Sequence, residues 1–198
     1  MLLCTGFLFF PGPGAARASN VEVYLTRAEA AQALFPEATG VERRLVAIKP
    51  ALREEISKRI APVRPSLWER VIPTYVLSKE HEVIGYAVIV NEIGKHRPIT
   101  FVVGVEPSGK VRGVEIMMYR EAVGSEVRMR RFLKQYEGKT VDAPLRTRRD
   151  ITNISGATLS VRAVNRGTKK ALALVDLVYR APSRGRAEIT PPAPKQVH

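Results

Sequence analysis

The chain has almost no cysteine, and this scarcity excludes several kinds of chemistry. Cys4 is the only one among 198 residues, and it lies in an apolar run near the N-terminus. Disulfide frameworks and cysteine metal sites are therefore not expected. Only three histidines are present, and they are scattered, so no metal site is predicted. A domain of this size can be held together by its apolar core alone.

Long apolar runs are also missing. No segment beyond the N-terminus approaches the ~18 residues that a membrane-spanning helix needs, so we predict a soluble mature protein. The first 18 residues resemble an export signal, with apolar residues from Leu2 to Phe10 and the small-x-small pattern Ala16-Arg17-Ala18. We expect cleavage before Ser19 and a periplasmic or otherwise extracytoplasmic location. The alternative is an apolar arm packed on the domain.

Acidic residues are scarce relative to basic ones. Lys and Arg number 32 against 19 Asp and Glu, which gives a net charge of +13. Such an excess suits nucleic acid, an anionic membrane surface or an acidic protein as partner. Export argues against nucleic acid, which leaves an acidic protein or peripheral contact with an anionic membrane.

Four regions follow from the order of patterns along the chain. They are a signal peptide (1–18), a helical segment (19–65), a main domain (66–180) and a disordered tail (181–198). In the helical segment, Thr26 and Glu29 have the spacing of a capping box, and this helix ends before Pro36. A second helix is predicted to follow Pro50.

The main domain is predicted to be α+β, an antiparallel sheet flanked by helices. Strands are expected near residues 75–77 and over 83–90, 99–105 and 111–118, and their short connections favour an antiparallel meander. Trp68 and Tyr75 are expected in the core. A helix over 125–136, a loop over 138–153 and a last long helix reaching about Tyr179 complete the prediction.

The start of the last helix has the features of a phosphate site. Ser155 is predicted to be the N-cap, with Gly156, Ala157 and Thr158 as the first helical residues. Amide groups there have no partner within the helix, and the helix dipole adds partial positive charge. Such a start can bind phosphate, although Ser-Gly caps also precede many ordinary helices.

The run Ser155-Gly156-Ala157-Thr158-Leu159-Ser160 resembles the flavinylation motif of FMN-binding domains. Domains of this family also occur within two membrane-bound redox complexes, the sodium-translocating NADH:quinone reductase and the Rnf complex. Two upstream segments resemble the exported single-domain members of this family: Glu92 to Phe101, and Tyr119 to Val127 followed by Arg131-Phe132-Leu133.

The resemblance implies a site for FMN at the start of the last helix. Thr158 would be joined to the FMN phosphate by a phosphodiester bond, which a flavin transferase makes from FAD with magnesium. Ser155, Gly156 and Ala157 would surround the phosphate. Further cofactor contacts are expected from His96, Arg120, Glu121, Gly124 and Arg131, with Arg128 and Arg149 as additional candidates for pairing with phosphate oxygens. No catalytic residue is predicted.

One position departs from the family pattern. An acidic residue usually stands three positions before the motif's first residue, whereas this chain has Thr152. Asp150 is the nearest replacement. If Asp150 cannot serve the transferase, attachment would be slow or absent, and FMN could be bound without the covalent link.

The expected function is electron transfer by an exported flavoprotein. The redox partners would be membrane-bound quinone-linked proteins or cytochromes. The alternatives are a non-covalent FMN-binding sensor and a flavin-dependent reductase of a small substrate, which would need an acid or base beside the flavin.

Overall fold

The computed structural model describes residues 22–181 and 189–190. The signal peptide predicted over residues 1–18 lies outside the described residues, as does most of the tail predicted over 181–198. Two residues of that tail, Ile189 and Thr190, form a short strand. No helix in the described ranges has both the length and the apolar character that a membrane span requires.

A seven-stranded antiparallel sheet forms the centre of the fold, in the order β1-β6-β5-β4-β3-β2-β7. Its strands are β1 (Glu22–Val23), β2 (Gly40–Ala47), β3 (Val71–Lys79), β4 (Glu82–Ile93), β5 (Pro98–Val105), β6 (Val111–Tyr119) and β7 (Ile189–Thr190). The helices are α1 (Arg27–Leu34), α2 (Pro50–Arg59), α3 (Arg130–Leu133) and α4 (Thr158–Val175). The predicted α+β class and the antiparallel meander of β3 to β6 are confirmed.

Residues 40–47 differ from the prediction. The segment 19–65 was expected to be helical, but Gly40–Ala47 forms β2, which pairs with β3 over eight residues. The two predicted helices of this segment are present. In α1, the Thr26 amide donates to the Glu29 carboxylate at 2.9 Å and the Glu29 amide donates to Thr26 Oγ1 at 3.3 Å, which confirms the capping box.

Two cores lie on opposite faces of the sheet, because side chains alternate along each strand. Val88 and Val90 of β4 belong to the core that α4 covers, whereas Ala87 and Ile89 belong to the smaller core under α1. The central strands are therefore buried on both faces. In α4, the predicted apolar face is confirmed, since its apolar residues between Val161 and Val175 pack into the larger core.

The helix predicted over 125–136 is broken into three short pieces. A 3-10 turn over Ser125–Arg128 is followed by α3 and by a second 3-10 turn over Lys134–Tyr136. The break lies at Met129, whose backbone is extended. The apolar spacing nevertheless indicated the buried side chains correctly, since Phe132 and Tyr136 pack edge to face in the core.

Candidate functional site

The start of α4 lies later in the chain than its sequence suggests. Ala157 is the N-cap and Thr158 the first helical residue, so Ser155 is not the N-cap. The Ala157 amide donates to the Ile154 carbonyl at 3.0 Å and closes a turn. Gly156 lies in that turn with a φ of +81°, a conformation that glycine adopts without steric cost and that no α-helix contains. The turn therefore delays the helix.

Amide groups without an acceptor in the helix are found at this start, but they belong to residues two positions later than predicted. The first bond within α4 runs from the Val161 amide to the Ala157 carbonyl, at 2.9 Å. The amides of Thr158, Leu159 and Ser160 therefore precede the first helical bond and have no acceptor in the helix. Together with the helix dipole they form a site that favours an anion.

The Thr158 hydroxyl is held by a neighbouring side chain. Asn153 Nδ2 donates to Thr158 Oγ1 at 2.9 Å, and Thr158 is half-buried. The other polar atom of this amide, Asn153 Oδ1, is buried and has no hydrogen-bond partner among the described residues. An unpaired buried acceptor costs about 1–3 kcal/mol. Such an atom fits a site where a ligand supplies the missing donor.

A cavity of about 520 Å³ opens beside Asn153. This volume lies in the ~300–1,000 Å³ range of cofactor and ligand sites. Phe132, Met129 and Ile154 give the cavity apolar walls, and Arg131 and Gln135 give it donors. The mixture of apolar walls with a few polar groups fits a flat aromatic ring system that carries polar edges.

Thr152 also lines this cavity, at the position where an acidic residue was expected. Its amide donates to Gln135 Oε1 at 2.7 Å. Asp150 lies elsewhere, because its carboxylate accepts from the amides of Leu145 at 3.1 Å and Arg146 at 2.7 Å. Burial raises the pKa of Asp150, but the amides of Arg146 and Leu145 and the ammonium of Lys139 together lower it by more, so the pKa lies below its ordinary value. Asp150 therefore stabilises its own loop.

Gly124 packs directly on the start of α4. Its φ is +88°, and an added Cβ would lie 2.9 Å from Ser160 Oγ and 3.3 Å from the Ala157 Cα. The Tyr119 hydroxyl lies 2.8 Å from Ser160 Oγ and donates to the Val123 carbonyl at 2.6 Å. Gly124 is thus brought to the predicted site, and Tyr119 and Ser160 are contacts that sequence reasoning missed.

The Glu121 carboxylate contacts the backbone of His96, and neither residue lines the cavity beside Asn153. Glu121 Oε1 accepts from the amides of His96 at 2.6 Å and Arg97 at 2.9 Å, which ties the loop after β6 to the β4–β5 turn. The His96 side chain is exposed. Burial raises the pKa of Glu121, yet the amides of Arg97, His96 and Lys95 outweigh burial and lower it.

The predicted arginines are distributed over different parts of the surface. Arg131 lines the cavity. Arg120 lies on the other face of the sheet: its Nη1 donates to Thr100 Oγ1 at 2.8 Å, and it lines a separate cavity with Ile89 and Met117. Arg128 lies over the ring of Tyr24, at 4.9 Å from its centroid. Arg149 is exposed and does not line the cavity. Among the predicted arginines, Arg131 alone lines the cavity and is placed to contact a ligand there.

Exposed apolar side chains surround the start of α4. Val123 is 63% exposed, Leu159 43% and Met129 41%. Leu159 follows Thr158, Val123 precedes Gly124, and Met129 lines the cavity. Trp68, predicted in the core, is also exposed, at 56%. In the described part of the chain, no three His, Cys, Asp or Glu side chains come together as a metal site requires.

Comparison with known proteins agrees with this geometry. A search among curated proteins finds no match. The family model of the FMN-binding domain, in contrast, matches residues 94–173. That range begins in the β4–β5 turn, includes the cavity and Thr158, and ends inside α4. The chain therefore carries a domain of the FMN-binding family over residues 94–173 and is a flavoprotein whose cofactor is FMN.

Proposed function

We propose that this flavoprotein is an exported electron carrier whose FMN is linked through its phosphate to Thr158. One observation supports this proposal most strongly. The Thr158 hydroxyl is oriented by Asn153 beside the cavity, at the helix start whose free amides favour a phosphate.

The protein's own residues bind and orient the cofactor, while bound FMN supplies the chemistry of accepting and donating electrons. The amides of Thr158, Leu159 and Ser160 would hold the phosphate. Phe132 and Ile154 exclude water from one side of the cavity. Arg131 and Gln135 would offer hydrogen-bond donors to polar atoms of FMN in the cavity, and Asn153 Oδ1 would accept a hydrogen bond from it.

Attachment is proposed to occur by transfer from FAD, catalysed by a flavin transferase with magnesium. Thr158 Oγ1 forms a bond to the phosphorus on the flavin side, and the bond between the two phosphates of FAD breaks. AMP leaves, and the hydroxyl proton passes to the transferase or to solvent. No electrons are exchanged in this step. A covalent link has a clear use outside the cytoplasm, where dissociated FMN would be lost.

Partners are proposed on the basis of charge and compartment. Cleavage before Ser19 would remove Arg17 and leave a net charge of +12, which favours an acidic redox partner, either a membrane-bound quinone-linked protein or a cytochrome, and also contact with anionic lipid. Docking through exposed charges weakens as salt screens them. Electron-transfer rates should therefore fall with ionic strength, and rates independent of salt would contradict this part of the proposal.

Non-covalent FMN binding is the second candidate, and Thr152 favours it. The position three residues before Ser155 holds no carboxylate, and Asp150 is committed to its loop. If this departure limits attachment, Thr152→Asp should raise the fraction of protein carrying covalent FMN. Equal fractions in both proteins would show that attachment does not depend on this position.

Intact mass after co-expression with the flavin transferase tests the covalent link. The wild type should gain the mass of one FMN and keep its yellow colour through denaturation. Thr158→Ala should lose both, whereas Thr158→Ser should keep the added mass.

Ser160→Ala is the matched control, because Ser160 also lies in the first turn but is buried and bonded to Tyr119. It should keep the added mass. Covalent FMN on the Thr158→Ala protein would refute the proposed acceptor. A colourless wild-type protein after denaturation, with FMN bound before it, would favour the non-covalent candidate.

A further inference from the structure

A second cleft, lined by arginines, lies further along α4. Its volume is about 370 Å³, and it opens between α4, residues 62–64 and residues 145–147. Four of its lining residues are arginines, and none is acidic: Arg64, Arg146, Arg162 and Arg166. It shares no lining residue with the cavity beside Asn153.

Three of these four guanidinium groups have no carboxylate partner among the described residues. Arg166 is engaged, since its Nε donates to Glu92 Oε2 at 3.3 Å and its Nη2 to the Ile93 carbonyl at 2.7 Å. Arg64, Arg146 and Arg162 make no side-chain hydrogen bond or ion pair within the described ranges, and all three are exposed.

Two carboxylates lie in the same loop, but neither neutralises the cleft: Asp142 pairs with Arg59 at 2.9 Å, and Asp150 is held within its own loop. Asp150 accepts from two backbone amides of that loop and pairs with Lys139 at 3.4 Å. Positive charges brought together without a counter-charge repel one another. An anion in the cleft would remove that repulsion.

The chemistry of the lining favours phosphate. Guanidinium groups form paired hydrogen bonds with phosphate oxygens, and several around one concavity select a compact anion with more than one charge. The wall also holds the Thr147 hydroxyl and the Asn165 amide, which is buried and fixed by the Tyr136 hydroxyl at 2.6 Å. We propose that this cleft binds a phosphate-bearing ligand at a site separate from FMN, either a free phosphate compound or a phospholipid headgroup.

Calorimetric titration of the FMN-loaded protein with inorganic pyrophosphate tests this site. The variant R64Q/R146Q/R162Q removes the three unpaired charges. The control R43Q/K79Q/K110Q removes the same charge from exposed positions that do not line the cleft. We expect the cleft variant to bind at least about tenfold more weakly and the control to bind nearly as well as the wild type. Unchanged unfolding midpoints and an unchanged amount of bound FMN, measured by its absorbance in the native protein, establish that both variants fold.

Vesicles of phosphatidylcholine, with and without phosphatidylglycerol, separate the two sources of phosphate. If the headgroup is the ligand, anionic vesicles should compete with pyrophosphate, and the cleft variant should lose vesicle binding. If a free compound is the ligand, the cleft variant should lose pyrophosphate binding alone.

Three results would overturn the proposal. Equal weakening in both triple variants would indicate general charge attraction. Failure of the wild type to bind either probe would leave the cleft without a phosphate ligand. Binding by FMN-free protein but not by FMN-loaded protein would assign the cleft to the phosphate of FMN itself, since Arg162 lies one turn after Thr158. None of these results depends on whether the FMN is covalent.

Discussion

The start and the middle of α4 are packed in opposite ways. In the middle, an added Cβ at Gly167 would lie only 2.4 Å from the ring of Phe101, and Lys170 is fully buried. At the start, Leu159 is exposed and Asn153 Oδ1 lacks a partner among the described residues. The helix is therefore anchored by its middle, which allows its start to keep polar groups free for a ligand.

The anchor in the middle is a buried network of charges. Lys170 Nζ lies 3.1 Å from Glu92 Oε1 and 3.3 Å from Glu69 Oε2, and it donates to the Ser66 carbonyl at 2.8 Å and the Asn91 carbonyl at 3.0 Å. Every donor of the ammonium is thus used. Such a network adds little stability relative to an apolar core, but it is costly to break, which fixes α4 in one position on β4.

Lys170→Met should cause the largest loss of stability. It leaves two buried carboxylates without their ammonium, which costs about 3–5 kcal/mol. Urea unfolding measures the change. Lys169→Met is the control, because Lys169 is also buried but donates to the Val141 carbonyl and makes no ion pair with a carboxylate in the described ranges. It should lose only about 1 kcal/mol. Equal losses would show that the network does not anchor the helix.

Gly124→Ala should have the next largest effect, because it acts on the start of α4. The positive φ costs about 1–2 kcal/mol for alanine, and the new Cβ would also meet Ser160 and Tyr119. Gly138→Ala has a similar φ of +74° with nothing within 4 Å, so it reports the backbone cost alone. Gly124→Ala should unfold more easily than Gly138→Ala and load less FMN. If both variants unfold equally and load FMN equally, the packing at Gly124 is unimportant.

Much of the fold could be predicted because its signals are local. The capping box at Thr26 and the apolar period of α4 each lie within a few turns of the chain. β2 was missed because Glu42, Arg43 and Arg44 interrupt its apolar pattern. The strand forms through its pairing with β3, which no local pattern reports.

The candidate site was only partly predictable, because several of its contacts join residues that are far apart in the sequence. Thr158 as the attachment residue stays a prediction from the motif, whereas the predicted start of α4 was wrong because it depends on the positive φ of Gly156. Arg120 directly follows β6. Its position on the sheet face that α1 covers could be assigned only once the alternation of side chains along that strand was known. Asn153 and Tyr119 act through contacts with Thr158 and Ser160 that arise on folding.

Asn153→Ala should change cofactor attachment more than stability. Loss of the bond to Thr158 Oγ1 leaves the proposed acceptor hydroxyl less well oriented, so the proposed transfer from FAD should slow on the order of tenfold. The free energy of unfolding of the FMN-free protein should change little, because the buried unpaired Oδ1 is removed together with the bond. Intact mass over time measures the rate. Met129 lines the same cavity but makes no hydrogen bond to Thr158 among the described residues, so Met129→Ala should slow attachment less; equal slowing would refute a positioning role for Asn153.

Glu121→Gln should give the smallest effect, visible as a change in the pH dependence of stability. The pKa of Glu121 is lower in the folded protein than its ordinary value of 4.5, because backbone amides outweigh burial. A lowered folded pKa means that the carboxylate stabilises the fold above its unfolded pKa and loses this contribution as pH falls through the folded pKa. The wild type should therefore be more stable than Glu121→Gln at pH 7, and the difference should vanish as pH falls through the folded pKa of Glu121. Urea unfolding across this range, with the exposed Glu82→Gln as control, measures the difference, and parallel curves at all pH values would mean that the contacts with His96 and Arg97 add no stability.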